Sequence, residues 1–345
     1  MNPLLRIHRR ASRAQQQAGM RWSNPATWGG TLPAAGDSPI ISSSIIWDVA
    51  STPALGQVRI AAGGQLVADP TMNVGMTLSD LVIDMGGVHQ IGTSALVPYT
   101  GTATINLVGA RTVHTDRPSV NGIRQGMTNS GYGRSVNNMG SRLWYGKPRI
   151  QHLTKLKATA NAGVASITVR GDCTDWLAGD NIVIAPTNYY GQSTSERRVL
   201  TANGVSDGAG GTTLTFTGSP LGEKHYGLKN YPIDAAYGTN AMSLTPGTFT
   251  SAAAVPTEID LSAEVINVSA GNIVVQAPND SDWSTQGWGV HTMDHPGSLY
   301  NDISVRVVLG GQRGAMGRYP FHAHRMSYVD KASAVTITLN AGSTI

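Results

Sequence analysis

An all-β fold is predicted by two features of this 345-residue sequence. Short runs rich in Val, Ile, Thr and Ser alternate apolar and polar residues, as half-buried strands do. Gly, Asn, Asp and Pro interrupt these runs at short intervals, and Gly alone occurs 41 times. The pattern predicts stacked short strands, either in a sandwich or in the coils of a parallel β-helix.

The N-terminal arm, residues 1–21, carries much of the net charge of +4. Its segment RIHRRASRAQQQAGMR is basic, but no apolar run of the length found in a secretory signal follows it. Two interpretations stay open: a solvated leader, or an anchor that docks on a larger assembly. The rest of the chain does not interleave basic with aromatic residues, so no nucleic-acid partner is predicted.

Two further classes of protein are excluded by the sequence. No apolar run is long enough for a transmembrane helix, so no membrane span is predicted. The single Cys173 excludes an intramolecular disulfide framework.

The strand runs fall into two regions on either side of a connection. Residues 22–115 contain QVRIAAGGQLVAD, GGVHQIGT and TATINLVGA. Residues 116–150 have few aliphatic residues and many Gly, Asn and Ser residues, which predicts a long irregular connection. Residues 151–345 then give strand runs such as ASITVRGDCTDWLAGDNIVIAPT, NIVVQAP and DISVRVVLGG, spaced at about one strand per coil of a solenoid.

The segment RWSNPATWGGTLPAAGDSPII resembles the opening of the eight-glycine, or G8, domain family. The positions that match are Trp22, Ser23, Pro25, Thr27, Trp28, Gly29, Pro33, Gly36 and Asp37. The segments GGQLVAD and IGTSALVPYTGTATINLVG resemble later strands of the same domain.

Segments further along resemble the cell-migration-inducing hyaluronan-binding protein and cell-surface hyaluronidase group. They are DWLAGDNIVIAPTNYYGQSTSERR, AEVINVSAGNIVVQ, GVHTM and GGQRGAMGRYPFHAH. The resemblance implies an eight-glycine domain over 22–115 packed on a short right-handed parallel β-helix over 151–345. It also implies an extracellular, virion-surface or cell-surface protein that binds or cleaves an acidic polysaccharide such as hyaluronan.

A cluster of polar residues near the C-terminus is the predicted catalytic site. It comprises His291, Asp294, Arg318, His322 and His324. Residues i and i+2 of a strand share a face, and residue 291 lies about one coil before residue 322. Three histidines and an aspartate on one face would suit acid–base or metal chemistry, whereas the alternative is an internal hydrogen-bonded ladder.

Two routes of glycan cleavage stay open at this site. Hydrolysis needs a pair of carboxylates, for which Asp294 and Asp302 are candidates, with Asp175, Asp180 and Glu196 as others. Elimination would use a base such as His322 or Tyr319, and Arg318 would neutralise a uronate carboxylate.

Four residues are predicted to bind substrate: Trp283, Trp288, Gln312 and Tyr319. The two tryptophans lie in the loop NDSDWSTQGWG and would either stack on sugar rings or pack the loop. Asp280 and Asp282 in the same loop would hold calcium as a cofactor through oxygen ligands, or be solvated.

Two functional hypotheses remain. One is an enzyme that cleaves a polysaccharide. The other is a non-catalytic carbohydrate-binding or structural module, such as a phage-tail or adhesin-like component. Because an open β-helix end exposes strand edges, we expect a homotrimer or docking onto a larger body through the N-terminal arm.

Overall fold

The computed structural model describes residues 20–110, 133–187, 195–228, 230–232, 258–295, 297–313 and 319–323. Within these ranges nearly all regular structure is β-strand, so the predicted all-β class is confirmed. No helix in this part of the chain has the length and apolar character needed to cross a membrane.

The strands are numbered in chain order. They are β1 (Met20–Arg21), β2 (Ile40–Ile41), β3 (Ser44–Trp47), β4 (Ala54–Ile60), β5 (Gln65–Ala68), β6 (Val74–Ile83), β7 (Val88–Ile91), β8 (Ala103–Leu107), β9 (Ser135–Asn138), β10 (Ser141–Tyr145), β11 (Leu153–Lys155), β12 (Ser166–Arg170), β13 (Asn181–Ile184), β14 (Glu196–Val199), β15 (Val205–Ser206), β16 (Gly211–Thr215), β17 (Asn230–Pro232), β18 (Glu258–Asp260), β19 (Glu264–Asn267), β20 (Ile273–Gln276), β21 (His291–Asp294), β22 (Leu299–Ile303), β23 (Val305–Val308) and β24 (His322–Ala323). A 3₁₀ turn spans Pro25–Trp28, and one short helix, α1, spans Ser281–Gln286.

The chain divides into two compact units. Unit 1 comprises the described residues of 1–148 and 271–345, and unit 2 comprises those of 149–270. Unit 2 is therefore inserted in the sequence between β10 and β20 of unit 1.

Unit 1 contains two large sheets in which every pairing is parallel. The six-stranded sheet has the order β1-β3-β5-β7-β10-β22. The nine-stranded sheet runs β23-β20-β8-β6-β9-β21-β24, and β4 joins it by pairing with both β2 and β6. From β1 to β8 the chain alternates between the two sheets, because parallel neighbours cannot be joined by a tight hairpin.

One inward register position of the nine-stranded sheet changes from apolar to polar along the stack. Ile41, Ile60, Ile83, Asn138 and Asp294 occupy matched register positions on successive strands. All five side chains are fully buried. At this register position the interior is therefore hydrocarbon on β2, β4 and β6 and hydrogen-bonded on β9 and β21.

The six-stranded sheet shows the same change on its inward side. Ile45, Leu66, His89, Arg142 and Tyr300 are matched on successive strands. Burial lowers the pKa of His89 to about 3, and the nearby Arg142 charge adds to that effect. His89 is therefore neutral, and its Nδ1 accepts a hydrogen bond of 3.1 Å from Trp144 Nε1.

The hydrophobic core of unit 1 lies between these sheets. Its larger members include Trp47, Trp144, Leu66, Leu78 and Ile105, all at most 1% exposed. Burying one such side chain stabilises the fold by ~1.5–3 kcal/mol.

Glycine is required where the chain turns from one sheet to the other. A Cβ atom at Gly64 would lie 2.0 Å from the carbonyl oxygen of Ile41, and one at Gly140 would lie 2.2 Å from that of Asp84. The backbones of successive turns therefore touch, which explains part of the high glycine content.

The prediction that residues 116–150 form an irregular connection is wrong for the part that follows residue 134. β9 and β10 lie within it, and most of their residues are buried. The sequence pattern missed them because SVNN and SRLWY carry polar side chains on both faces, so apolar and polar residues do not alternate.

Unit 2 is built from antiparallel strands. Its sheets have the orders β11-β19-β13-β14, β12-β16-β15 and β17-β18, and each pairing is antiparallel. The parallel β-helix predicted across 151–345 therefore does not extend through this unit. The physical reason is that short connections join neighbouring strands of this unit. In the turn between β15 and β16, Asp207 Oδ1 accepts hydrogen bonds of 2.8 Å from the amides of Ala209 and Gly211. A tight turn of this kind joins adjacent antiparallel strands.

Unit 2 has its own hydrophobic core, separate from that of unit 1. Trp176, Phe216, Leu214 and Val265 are fully buried in it, together with Cys173. Burial raises the pKa of the Cys173 thiol to about 11, so this cysteine packs as a small apolar group.

Candidate functional site

The candidate site lies on the nine-stranded sheet of unit 1, where β9, β21 and β24 are neighbours. Leu81 and Val136 pack in the hydrophobic core. The alternate residues Asp80 and Ser135, matched in register, therefore point to the opposite side, called here the outer face. His291 is matched with Ser135 and lies on the same outer face.

The structure brings His291 and His322 together on the outer face. Met293 is the register partner of His322, and His291 lies two residues before Met293, so the two imidazoles share a face. Their ring centroids are 6.3 Å apart. Arg318 and His324 lie outside the described residues.

Tyr319 and His322 form a stacked pair, called here the aromatic pair. Their ring centroids are 5.6 Å apart and their planes differ by 7°. Tyr319 is 57% exposed, and His322 is partly exposed. Burial lowers the pKa of His322 from its ordinary 6.5, so the imidazole is mainly neutral at pH 7.

His291 holds the segment that carries the aromatic pair. Its Nδ1 lies 3.0 Å from the carbonyl oxygen of Tyr319. Because a carbonyl oxygen can only accept, Nδ1 carries the proton. Thr292 Oγ1 donates a second hydrogen bond, of 2.6 Å, to the carbonyl oxygen of Pro320. His291 itself is fully buried, so its observed contact is with the protein backbone.

Asp294 does not share a face with His291, and the prediction of one shared face is wrong for this residue. The two residues are three positions apart on β21, so strand alternation sends them to opposite sides. Asp294 points inward, is fully buried, and accepts hydrogen bonds from Asn138 Nδ2 at 2.8 Å and Arg142 Nη2 at 3.0 Å.

Asp294 and Asp302, called here the carboxylate pair, meet at one guanidinium. Arg142 Nη2 lies 3.0 Å from Asp294 Oδ2 and 2.6 Å from Asp302 Oδ2. Burial opposes the charge of Arg142, but the two carboxylates outweigh burial and raise its pKa. Burial and the Asp294 charge raise the pKa of Asp302 to about 6, despite the opposing effect of Arg142.

Asp80 and Ser135 are two buried polar residues of this face that are not among the predicted site residues. The Ser135 hydroxyl donates to Asp80 Oδ1, and the Ser135 amide donates to the same oxygen at 3.2 Å. Burial raises the pKa of Asp80. The available signal was a carboxylate inside the otherwise apolar run DLVI, which marks a buried strand position that needs a partner.

Trp288 and Gln312 are buried, so the structure does not support a direct contact between either residue and a substrate. They are 3% and 4% exposed and form an isolated bridge with each other. Gln312 Nε2 donates to the carbonyl oxygens of Gly133 and Gly289, at 2.8 and 3.0 Å. Gln312 therefore braces this turn through the carbonyl groups of Gly133 and Gly289. Trp283 is partly exposed on α1.

Asp280 and Asp282, the predicted calcium ligands, lie beside Arg134. Asp280 caps α1 by accepting a 3.0 Å hydrogen bond from the Trp283 amide, and it pairs with the buried Arg134 guanidinium. The hydrogen bond from Arg134 lowers the pKa of Asp280. Asp282 Oδ2 lies 3.7 Å from Arg134 Nη2. Across the described ranges, no group of three or more His, Cys, Asp or Glu residues is arranged to hold a metal ion.

The other candidate carboxylates lie in unit 2 and bind protein groups. Asp175 accepts from the Ile150 amide at 2.7 Å, and Asp180 pairs with Arg149 at 3.2 Å. Glu196 Oε1 lies 3.0 Å from Nε2 of the buried His225. Each of these carboxylates therefore has a structural partner.

Comparison with known proteins finds relatives of much greater length. Mouse fibrocystin-L is 33% identical over 217 residues, which cover 60% of this chain and 4% of that protein. Human fibrocystin-L is 28% identical over 341 residues, covering 88% of this chain and 7% of that protein. A G8 domain-containing protein of Dictyostelium discoideum is 24% identical over 326 residues, covering 91% of this chain and 24% of that protein.

A family-model comparison matches the G8 domain over residues 27–157. This match begins in the segment whose Trp, Pro and Gly residues resemble the eight-glycine opening, and it extends through β10 and β11. Together with the fibrocystin-L relatives, it supports a G8 domain in residues 27–157 of this chain.

Proposed function

We propose that this chain is a non-catalytic glycan-binding module at a cell or particle surface, and that the aromatic pair contacts the sugar. The exposed Tyr319 ring, held parallel to His322, carries this proposal. A fixed aromatic ring offers a flat apolar surface to the C–H face of a sugar, and a neighbouring polar group orients the ligand.

An acidic polysaccharide such as hyaluronan is the proposed ligand. This class comes from the sequence resemblance of the segment GGQRGAMGRYPFHAH to hyaluronan-binding proteins. The chemistry of the aromatic pair is compatible with it, because a protonated His322 would attract a uronate carboxylate.

The arrangement of the predicted catalytic residues favours binding over cleavage. His291 is buried and holds the backbone of Tyr319, while Asp294 points to the opposite side of the strand. Acid–base catalysis needs groups within hydrogen-bond reach of one reacting atom. Residues on opposite sides of one strand do not meet that requirement.

Glycoside hydrolysis by the carboxylate pair is the second candidate function. The observation that favours it is the raised pKa of Asp302, about 6, beside a second carboxylate. A glycosidase needs one protonated carboxyl as acid and a second carboxylate as base or nucleophile. The side chain of Asp302 is 18% exposed, and that of Asp294 is fully buried.

Binding and depolymerisation of hyaluronan, chondroitin and a bacterial capsular polysaccharide, measured on the same samples, test both functions. For whichever of these polymers the wild type binds, Tyr319→Ala should weaken the binding at least tenfold. Tyr319→Phe keeps the aromatic ring and should bind like the wild type. Unchanged binding in Tyr319→Ala would remove the proposed contact. If the wild type depolymerises one of these polymers and Asp302→Asn does not, the function is hydrolysis and the proposal of a non-catalytic module is wrong.

A winding of unit 1 as a right-handed parallel β-helix is also proposed. The support is the alternation of β1 to β8 between two sheets with parallel pairing. The homotrimer, and docking through the N-terminal arm, also remain proposals, and residues 1–19 of the arm lie outside the described residues.

A further inference from the structure

Unit 2 contains a surface cleft of about 350 Å³ that none of the proposals above uses. Its walls come from β11, the end of β12 and the start of β19. The residues that line it are Gln151, Leu153, Thr154, Lys155, Arg170, Gly171 and Glu264. The volume falls within the range of small-molecule sites, roughly 300–1,000 Å³.

Hydrogen bonds to one carbonyl group hold the floor of this cleft. Gln151 Nε2 donates to the carbonyl oxygen of Arg170 at 3.0 Å, and Thr154 Oγ1 donates to the same oxygen at 2.6 Å. Gln151 Nε2 also lies 3.1 Å from Cys173 Sγ, at the hydrophobic core of unit 2. The cleft is therefore formed before any ligand binds.

The charges around the cleft cancel. Lys155 Nζ lies 3.3 Å from Asp260 Oδ2, and Arg170 Nη1 lies 2.7 Å from the same oxygen. The exposed Glu264 is the register partner of Lys155 across β11 and β19. The cations Lys155 and Arg170 and the carboxylates Asp260 and Glu264 together carry no net charge. A cleft without net charge favours an uncharged ligand over an anion.

Both a hydrogen-bond donor and an acceptor are left over for a ligand. The Lys155 ammonium has three N–H donors, and its partners among the described residues are the carbonyl oxygen and the carboxylate of Asp260, at 3.1 and 3.3 Å. The Glu264 carboxylate is exposed in the cleft lining, and no side-chain hydrogen bond or ion pair joins it to another described residue. Leu153, 46% exposed, adds an apolar surface beside them.

We propose that this cleft binds one neutral sugar residue. A sugar hydroxyl donates and accepts at once, so one hydroxyl can donate to Glu264 while another accepts from Lys155 Nζ. The aliphatic side chain of Leu153 packs against the C–H groups of the ring. This site is independent of the aromatic pair in unit 1, and it takes a ligand of different charge.

Titration of the full chain with methyl glycosides of glucose, galactose and N-acetylglucosamine, followed by NMR, tests the proposal. Sodium glucuronate is the acidic counterpart. At least one neutral glycoside should bind, with a Kd on the order of 1 mM, which is about −4 kcal/mol. Glu264→Gln should weaken that binding at least fivefold, because the amide loses the charged acceptor.

Glu223→Gln is the matched control, since it makes the same change in unit 2 outside the cleft lining. It should bind the glycoside like the wild type, and Tyr319→Ala should also leave this binding unchanged. Three results would each overturn the proposal: no neutral glycoside binds, glucuronate binds more tightly than every neutral glycoside, or Glu264→Gln binds as well as the wild type. None of them affects the test of the aromatic pair.

Discussion

Asp302 illustrates how a single residue couples this fold to pH. Its carboxyl is partly withdrawn from water beside Asp294, and Arg142 offsets only part of the cost. The pKa of about 6 in the folded chain exceeds the ordinary value of about 3.9. The folded state therefore binds more protons than the unfolded state between these two values.

The first prediction concerns the stability contributed by Asp302. Stability should fall as pH rises from about 4 to 6, because the folded carboxyl must then ionise. Asp302→Asn should flatten this part of the profile and raise the free energy of unfolding at pH 7 by about 2–3 kcal/mol. Urea unfolding at several pH values measures it. A variant whose profile between pH 4 and 6 matches the wild type would contradict the assigned pKa.

The second prediction concerns His322 and rests on the proposed function. Burial lowers the pKa of His322 below 6.5, so protonation occurs on the acidic side of neutrality. The affinity for hyaluronan should therefore rise several-fold as the pH falls below 6.5 through the lowered pKa of His322, because an imidazolium forms beside a carboxylate ligand. His322→Gln should remove most of this rise. Binding isotherms at matched ionic strength measure it, and an equal rise in the variant would assign the effect to another group.

At the scale of single elements, the turns between the two sheets of unit 1 contain glycine positions that have no room for a larger residue. Gly64 follows β4, and the place of its missing Cβ is occupied by the carbonyl oxygen of Ile41. Neighbouring turns can stack this closely only without a side chain. The same crowding recurs at Gly87, where the nearest atom is the carbonyl oxygen of Ile60 at 2.5 Å.

The third prediction follows from this crowding. Gly64→Ala should destabilise the chain by about 1–3 kcal/mol, because the backbone must shift to admit a methyl group. Gly222→Ala is the control: its nearest contact would be the Glu196 carboxylate at 3.8 Å, so a change within about 0.5 kcal/mol is expected. Thermal unfolding of both variants measures the difference, and equal melting temperatures would contradict the argument.

Element by element, the sequence predicted strands best where one face is apolar. β4, β5 and β8 alternate buried with less buried residues, and their alternation is visible in QVRI, QLVA and ATINL. β9 is buried at every position and polar at three of four, so no period could reveal it. Burial of its Ser and Asn side chains depends on partners from β6 and β21, far away in sequence.

For the whole molecule, the insertion of unit 2 is the main feature that local patterns could not reveal. The two chain segments that flank it lie together in unit 1: the Lys147 amide donates to Asn272 Oδ1 at 2.9 Å. Asn272 Nδ2 in turn donates to the carbonyl oxygens of Tyr99 and Gly101, both at 2.7 Å. The entry and exit of the insertion are therefore fixed by unit 1 itself.

The fourth prediction is that unit 1 folds without the insertion. Replacing residues 149–270 by a short Gly/Ser linker should leave a protein that unfolds cooperatively, because insertions with adjacent ends are tolerated. Circular dichroism and thermal unfolding measure this. Asn272→Ala in the same shortened chain should lower the melting temperature, since it removes the contact between the two ends. A shortened chain without cooperative unfolding would show that unit 1 depends on unit 2.

The amino-acid sequence by itself determined the strand-rich class, the G8 region and the stretch that carries the aromatic pair. Those properties depend on residues close together in the chain: alternation, turn residues and motif spacing. Only the tertiary structure decided that His291 meets His322 and Tyr319 while Asp294 meets Arg142. The reason is that a strand sends adjacent residues to opposite sides, and the partners on each side come from other strands or segments whose register no local pattern encodes: Tyr319 lies 28 residues from His291, and Arg142 lies 152 residues from Asp294.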